Sequence, residues 1–430
     1  VRARAFAAKP SGLANHVLSK QQSLFVRPAL WSTLNYLRSL DEKGYRREIQ
    51  KLWDHSDLRP HIRQLLIAFL GSQATPLPTE VTYFRNALEN PEWRNWAFDE
   101  LRKNPPWFSS VRPTLAGLMT KSEALAGKAA WALIEVVKEH RDGVLSLIQE
   151  YWAPAPEWDP YILHALRELD DWNEWAVNLV ERSVRRSSLN GMLVRMVAEG
   201  VAKSAPNLAP RLISAGLWRE WERIEAEPVP AQPPPDDDAD EADHVSYLLR
   251  ERPYDAVERF VSRSEHWYGI ERIVRAAPRA FVDQVWPWFL QVAEKHAAGV
   301  REGVRSYRAD PVFRLPGDWS VDDHTLTAAL DLALSEFAKG CPQDFGRFLD
   351  VHGNSDFLSA HRMLARALSQ IAESHASIAL DYMLGDDRRL GLGKDVSHHT
   401  ESINLIRSVS PHLPDSELAR LENRVREAVK

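Results

Sequence analysis

The stretch Ser122–Lys138, SEALAGKAAWALIEVVK, decides the fold. Leu125, Ala129, Leu133 and Val137 recur at helical spacing, with Ala126, Ala130 and Ile134 beside them. That periodicity predicts a helix with a broad apolar face. Thr120, followed three residues later by Glu123, reads as a capping box at its start. After His140-Arg141-Asp142-Gly143 a second apolar run extends from Val144 to Trp152. Pro154 and Pro156 then interrupt, and the pattern begins again. One helical hairpin follows another through residues 111–184.

Outward from this stretch a repeat becomes visible. The apolar centres of the leading helices fall at Leu65, Phe98, Ala130, Leu163 and Val194, in steps of 33, 32, 33 and 31 residues. Second helices centre on Phe84, Leu115, Leu147, Leu179 and Leu212. Each unit is a pair of antiparallel helices of about three turns, too short to bury a face alone, so stacking must supply the core. The step is shorter than the usual HEAT spacing of roughly 40 and close to the tetratricopeptide spacing of about 34. The small-residue and aromatic signature of the latter is not evident, which favours a HEAT-like reading. The expected fold is all-α: a right-handed superhelical array of antiparallel helix pairs, a HEAT-like or TPR-like α-solenoid.

The turns agree. Glu89-Asn90-Pro91-Glu92 separates Phe84 from Trp96, and Lys103-Asn104-Pro105-Pro106 ends the next helix, because the residue before proline is driven out of helical geometry. Asp171 with Glu174 reads as a capping pair for NEWAVNLVERSV. Ala205-Pro206-Asn207-Leu208 restarts the final pair of this block.

Four segments are expected. Residues 1–59 are irregular and helical, with Leu13 to Leu24 one helix and Pro28 in the first turn of another whose stripe is Leu30, Leu34, Leu37 and Leu40. Residues 60–226 are the hairpin array. Residues 227–243, EPVPAQPPPDDDADEAD, hold five prolines and seven acidic residues, so they read as a linker or inserted loop. Residues 244–430 resume as less regular pairs. Within them Pro287 marks a kink or restart, Gly299 to Gly317 a long loop, Ser320 with Asp323 a cap, and Asp386 to Ser397 a polar loop.

Composition narrows the function classes. Sixteen tryptophans among 430 residues suit wedges between packed helices. A net charge of -6 does not suggest a nucleic-acid coat. The lone Cys341 allows no internal disulfide and fits a reducing, cytoplasmic setting. Its place in Lys339-Gly340-Cys341-Pro342 suggests a buried or half-buried structural thiol. No apolar run approaches the roughly 20 residues that span a bilayer, so no membrane partner is expected. The chain opens on Val1 and closes on the helical run LARLENRVREAVK without a Gly or Pro stop, which reads as a piece of a longer protein.

The search for chemistry assigns no catalytic, cofactor-binding or metal-binding residue. Gly391-Leu392-Gly393-Lys394 resembles a P-loop fragment, but Arg388 stands where the first glycine belongs and Asp395 follows the lysine. No HExxH, CxxC or GxSxG occurs. His398-His399 are adjacent and do not share a helix face. His140, His164, His266, His296, His352, His361, His375 and His412 are scattered and read as surface or boundary residues. Asp170-Asp171 and Asp386-Asp387 read as solvated charge. Basic clusters occur at Arg46, Arg47 and Lys51, at Arg182, Arg185 and Arg186, and at Arg301, Arg305, Arg308 and Arg314. Acidic residues are interspersed throughout, so solvated faces account for them.

The segment from Glu401 through Ile403, Leu405 and Ile406 to Pro411, Leu413 and Asp415, with LARLEN close behind, resembles the helical array behind the nucleotide-binding module of large bacterial STAND-type NTPases, antiphage defence proteins among them. The Trp-rich hairpins from His61 to Leu217 are similar in style. The resemblance implies a sensor or scaffold region that recognises a protein trigger and restrains a remote NTPase and effector. The Walker motifs of that family are absent here, so no ATPase residue carries over. Its partner would be a protein, or the remaining domains of a parent chain. The alternative is a nucleic-acid-binding or base-repair protein on a HEAT-like frame, with Trp93, Trp96, Trp131, Trp172, Trp175 and Asp171 available for a groove floor. A stand-alone hydrolase lacks a nucleophile constellation.

Overall fold

In a computed structural model the described residues are 12–21, 26–187, 189, 191–226, 255–297, 306–310, 312–318, 324–393 and 399–428. They are helical, with one isolated bridge between Arg308 and Phe357. The expected acidic segment 227–243 lies outside them, as do Ser320, Asp323, Arg301, Arg305, Lys394, Asp395 and His398. By contacts the chain divides into two compact units, Val1–Leu169 and Asp170–Lys430.

The first unit holds α1 (Leu13–Ser19), α2 (Val26–Leu40), α3 (Glu42–Trp53), α4 (Pro60–Gly71), α5 (Pro78–Glu89), α6 (Arg94–Lys103), α7 (Phe108–Leu118), α8 (Glu123–Glu139), α9 (Arg141–Tyr151) and α10 (Asp159–Leu166). The leading helices stack in order, α4 on α6, α6 on α8 and α8 on α10, while α5 packs on α7 and α7 on α9. Helix α8 is covered by α6, α10, α7 and α9, which is why its apolar face is broad. Leu133, Ile134, Val136 and Val137 are buried there, each worth about 1.5–3 kcal/mol, and Ala126, Ala129 and Ala130 let the neighbours approach.

The second unit holds α11 (Glu174–Arg186), α12 (Gly191–Ser204), α13 (Ala209–Ala226), α14 (Asp255–Ser262), α15 (Ser264–Trp267), α16 (Glu271–Ala276), α17 (Pro278–His296), α18 (Leu326–Gly340), α19 (Pro342–His352), α20 (Leu358–Ser369), α21 (Ala372–Gly385), α22 (Thr400–Val409) and α23 (Asp415–Ala428). Here α12 packs on α16, α16 on α18, α18 on α20 and α20 on α22. The second helices follow suit: α11 on α13, α13 on α17, α19 on α21 and α21 on α23. Thus α13 and α17 lie against each other although α14, α15 and α16 come between them in sequence, and Ser214 Oγ donates to Gln284 O at 2.9 Å.

Polar bonds repeat the step. Trp107 Nε1 donates to Gln73 O at 2.9 Å across 34 residues, and Trp152 Nε1 to Met119 O at 2.8 Å across 33. Arg112 reaches Ser146 Oγ at 3.2 Å across 34 residues, and Arg211 reaches Asn178 Oδ1 at 2.6 Å across 33. Each bond ties one pair to the next. At the start of the first unit the fully buried Glu80 accepts from Arg38 Nε at 2.7 Å, Tyr45 Oη at 2.5 Å and Leu77 N at 2.6 Å, joining α2, α3 and α5.

Several local expectations need correction. The cap of α8 is Ser122, which accepts from Leu125 N, and the cap of α11 is Asn173, which accepts from Ala176 N. Both lie two residues beyond the expected Thr120 and Asp171. The cap is the last extended residue, so Glu123 and Glu174 occupy the first helical position rather than the third. Helix α18 is capped by Thr325 through Ala328 N at 3.0 Å. Helix α17 runs unbroken through Pro287, held by the fully buried Trp286, Trp288 and Phe289. Cys341 is exposed at the corner between α18 and α19, not buried. The long loop before α18 is a packed strap, since Tyr307, Val312, Phe313 and Leu315 are buried.

The tryptophan rungs are testable. Trp152→Phe keeps a smaller aromatic ring and leaves the Met119 carbonyl without its indole donor, and should cost about 1–3 kcal/mol in urea denaturation. Trp152→Ala should cost about 3–5 kcal/mol. Equal stability of wild type and both variants would sink the view that these rungs couple successive pairs.

Candidate functional site

Two constellations stand out, both within the second unit. The first is a cleft with a volume of about 670 Å³. Val184 of α11, Val194 of α12 and Ile213 and Leu217 of α13 line it with hydrocarbon. Phe260 of α14 and Trp267 of α15 form an aromatic wall, their rings edge-to-face at 5.2 Å. The Trp267 Nε1 proton goes to Phe260 O at 2.9 Å, which orients the wall. Gly269 follows at φ 87°, a left-handed turn that lets the chain double back into α16, and a Cβ there would lie 3.1 Å from Glu199 Oε1.

Arginines line the cleft as well. Arg223 is closed off by Glu220, with Nε and Nη2 donating at 2.9 and 2.6 Å. Among the described residues Arg195 has Glu199 at 3.7 Å as its ionic neighbour, and it donates from Nη1 to His266 O at 3.3 Å. Arg219 has Glu222 at 3.6 Å. Met192 of α12 lines the cleft as well, and it and Met196 are 56% and 44% exposed.

The second constellation is buried and ionic. Arg362 of α20 donates from Nη1 and Nη2 to Asp318 of the strap at 2.9 and 2.8 Å, and from Nη2 to Glu401 of α22 at 2.9 Å. Arg366 donates to the same Glu401 oxygen at 2.9 Å and approaches Asp331 of α18 at 3.4 Å. Three carboxylates thus face two guanidiniums. Burial, with the Glu401 charge adding and Arg366 and Arg362 opposing, pushes the Asp331 carboxyl up to about 6. Asp310 is likewise pushed up to about 6 by burial, against the bond from Ser359. Beside them His361 is fully buried, not at a surface or boundary, and burial lowers it to about 4. Its Nδ1 meets Tyr382 Oη at 2.7 Å, its Nε2 meets Ser355 O at 2.7 Å, and its ring stacks on Tyr307 at 3.8 Å. Arg388 bonds Asp386 in its own loop and Asp356 ahead of α20, and its guanidinium lies over the Tyr307 ring of the strap at 4.1 Å. These groups pair with one another, with Arg362 Nε, Glu401 Oε2 and Asp331 Oδ1 left buried without a hydrogen-bond partner among the described residues, and the arrangement ties the strap to α20 and α20 to α18 and α22.

Of the residues offered for a nucleic-acid groove, Trp93, Trp96 and Trp131 lie in the first unit and Trp172, Trp175 and Asp171 in the second. Arg63 covers Trp93 at 4.3 Å and Arg102 covers Trp131 at 4.3 Å, while Trp96 is half-buried. In the second unit Trp172 is buried, and Trp175 and Asp171 are exposed. The basic clusters are matched by acids: Arg46 by Glu42, Lys51 by Glu48, Arg185 by Glu181, Arg308 by Glu294 and Arg314 by Glu258. Among the described residues no group of three metal-ligating side chains converges, and no helix is long and apolar enough to cross a membrane.

Sequence reasoning singled out none of the cleft's arginines. One signal was available: Met192 and Met196 stand four apart on the face of α12 opposite the buried Val194, Val197 and Val201. No family model matches this chain, and a search of curated proteins returns no match.

The ionic network sets a pH dependence. Asp331 binds its proton more tightly folded than unfolded, so its contribution to stability is full below about pH 3.8 and is lost as pH rises through about 6. Asp331→Asn fixes the neutral form. The variant should gain on the wild type by up to about 3 kcal/mol between roughly pH 4 and pH 7. Paired urea denaturations at those two pH values read the difference, and an unchanging gap would exclude the raised carboxyl.

Proposed function

We propose that this chain is a non-catalytic helical-repeat sensor or scaffold region of a larger multidomain protein. Its helix pairs form a right-handed α-solenoid, HEAT-like in step. The region recognises a protein trigger, or holds a remote NTPase or effector domain in check, as the likeness of residues 401–415 to STAND-type arrays implies. The observation that carries this reading is the commitment of polar and apolar groups alike to contacts one repeat away. A fold built this way spends its buried side chains on stacking and presents its helix faces for recognition. The exposed methionines of α12 are the adaptable, polarizable surface that recognition favours.

The test is capture from the native cellular background, with wild type and the Met192→Glu, Met196→Glu double variant compared at equal folded concentration. The wild type should retain a discrete protein and the variant should lose at least about 90% of it, the tenfold change expected for about 1.4 kcal/mol. Equal capture by both would remove α12 from the recognition surface. Absence of any captured protein would count against the sensor reading.

A further inference from the structure

We propose that the cleft lined by α11 to α15 binds a small amphiphilic anion, an apolar chain or ring that ends in a carboxylate. This goes beyond the recognition of a protein and does not rest on it.

Size comes first. A volume of about 670 Å³ falls within the 300–1,000 Å³ common to small-ligand pockets. Five helices close around it, so it is a concave chamber rather than a strip along one helix face. Its floor is hydrocarbon from Val184, Val194, Ile213 and Leu217. Gly216 deepens that floor, since a Cβ there would meet only Val194 and Val184 at 3.7 and 3.9 Å. A tail or ring fits where a longer side chain at 216 would stand.

Charge then selects the head group. Among the described lining residues three arginines face one glutamate, and that glutamate is held bidentately by Arg223. Neither Arg195 nor Arg219 has a hydrogen-bonded carboxylate among the described residues, their acidic neighbours Glu199 and Glu222 standing at 3.7 and 3.6 Å. A guanidinium carries five donors in a planar fork suited to two carboxylate oxygens. Two under-bonded forks beside a hydrocarbon floor favour a ligand that brings its own carboxylate and an apolar body. A neutral apolar ligand would leave both forks as they are, and a cation would be repelled.

The experiment is calorimetric titration of the full chain at low salt with decanoate, kept below micelle formation. Decyltrimethylammonium supplies the same tail with the opposite head, and an acetylated peptide of alternating leucine and glutamate stands for a protein segment. Decanoate should bind saturably at one site, and high salt should weaken it. Arg195→Gln with Arg219→Gln should weaken it about tenfold, a loss of about 1.4 kcal/mol. Gly216→Leu, with its helical spectrum retained, should abolish binding by filling the floor. No saturable binding, equal binding of the cationic amphiphile, or indifference to the arginine changes would each overturn the proposal. Tighter, arginine-dependent binding of the peptide would overturn it in favour of a protein segment.

Discussion

A three-turn helix pair cannot remove its apolar face from water by itself, and that constraint governs this protein. The face of α8 is wide because it has two stacking neighbours, α6 and α10, rather than one. Its alanines are as informative as its leucines. They bring backbones close, while Leu133 and Val137 fill the space between layers. The polar rungs follow from the same geometry. The Trp107 and Trp152 indoles each give their N–H to a carbonyl of the previous pair, that of Gln73 and Met119 respectively. The Nε1 atoms of Trp172, Trp221, Trp286 and Trp288, by contrast, are buried without a partner among the described residues.

The second unit meets the same constraint with more charge. Between α18, α20 and α22 the contacts include Asp331, Arg362, Arg366 and Glu401 beside the apolar core. Buried ion pairs are a weak source of net stability, since desolvation offsets much of the attraction. Their geometry is nevertheless demanding. Asp318 can reach both Nη atoms of Arg362 only if the strap lies in one register, and the Arg308–Phe357 bridge fixes the same register through backbone. The network therefore accounts for how the irregular segment at residues 306–310 and 312–318 packs into a helical stack without a helical pattern of its own.

The legible part of the sequence was the part carried by period. Leu65, Phe98, Ala130, Leu163 and Val194 each sit inside a leading helix, and Phe84, Leu115, Leu147, Leu179 and Leu212 inside a second helix. Caps were read two residues early at α8 and α11, because several polar residues precede each helix and only the extended backbone at Ser122 and Asn173 singles out the cap. The interior of the strap was not legible. Val312, Phe313 and Leu315 have no helical spacing, and the Phe313 ring packs on Trp288 and Phe289 of α17 at 6.0 and 4.5 Å. His361 was misread for a related reason. Its burial requires Tyr382 and the Ser355 carbonyl, partners that no local pattern announces.

The cleft has the same origin as the rungs, seen where the pattern changes. In a regular stack each pair is covered by the next, and the covering helix fills the groove between the two below it. Helix α16 has only six residues, from Glu271 to Ala276, against fourteen in α12, on which it packs. It cannot cover the whole of α12. The aromatic pair of α14 and α15 closes part of the remainder, and Gly269 supplies the sharp turn that allows it. The space that remains is lined by Val184, Val194, Ile213 and Leu217 and bordered by Arg195, Arg219 and Arg223. A repeat fold acquires a pocket in this way without any residue evolving toward catalysis: shortening one helix leaves both the space and the unsatisfied groups that give the space its chemistry.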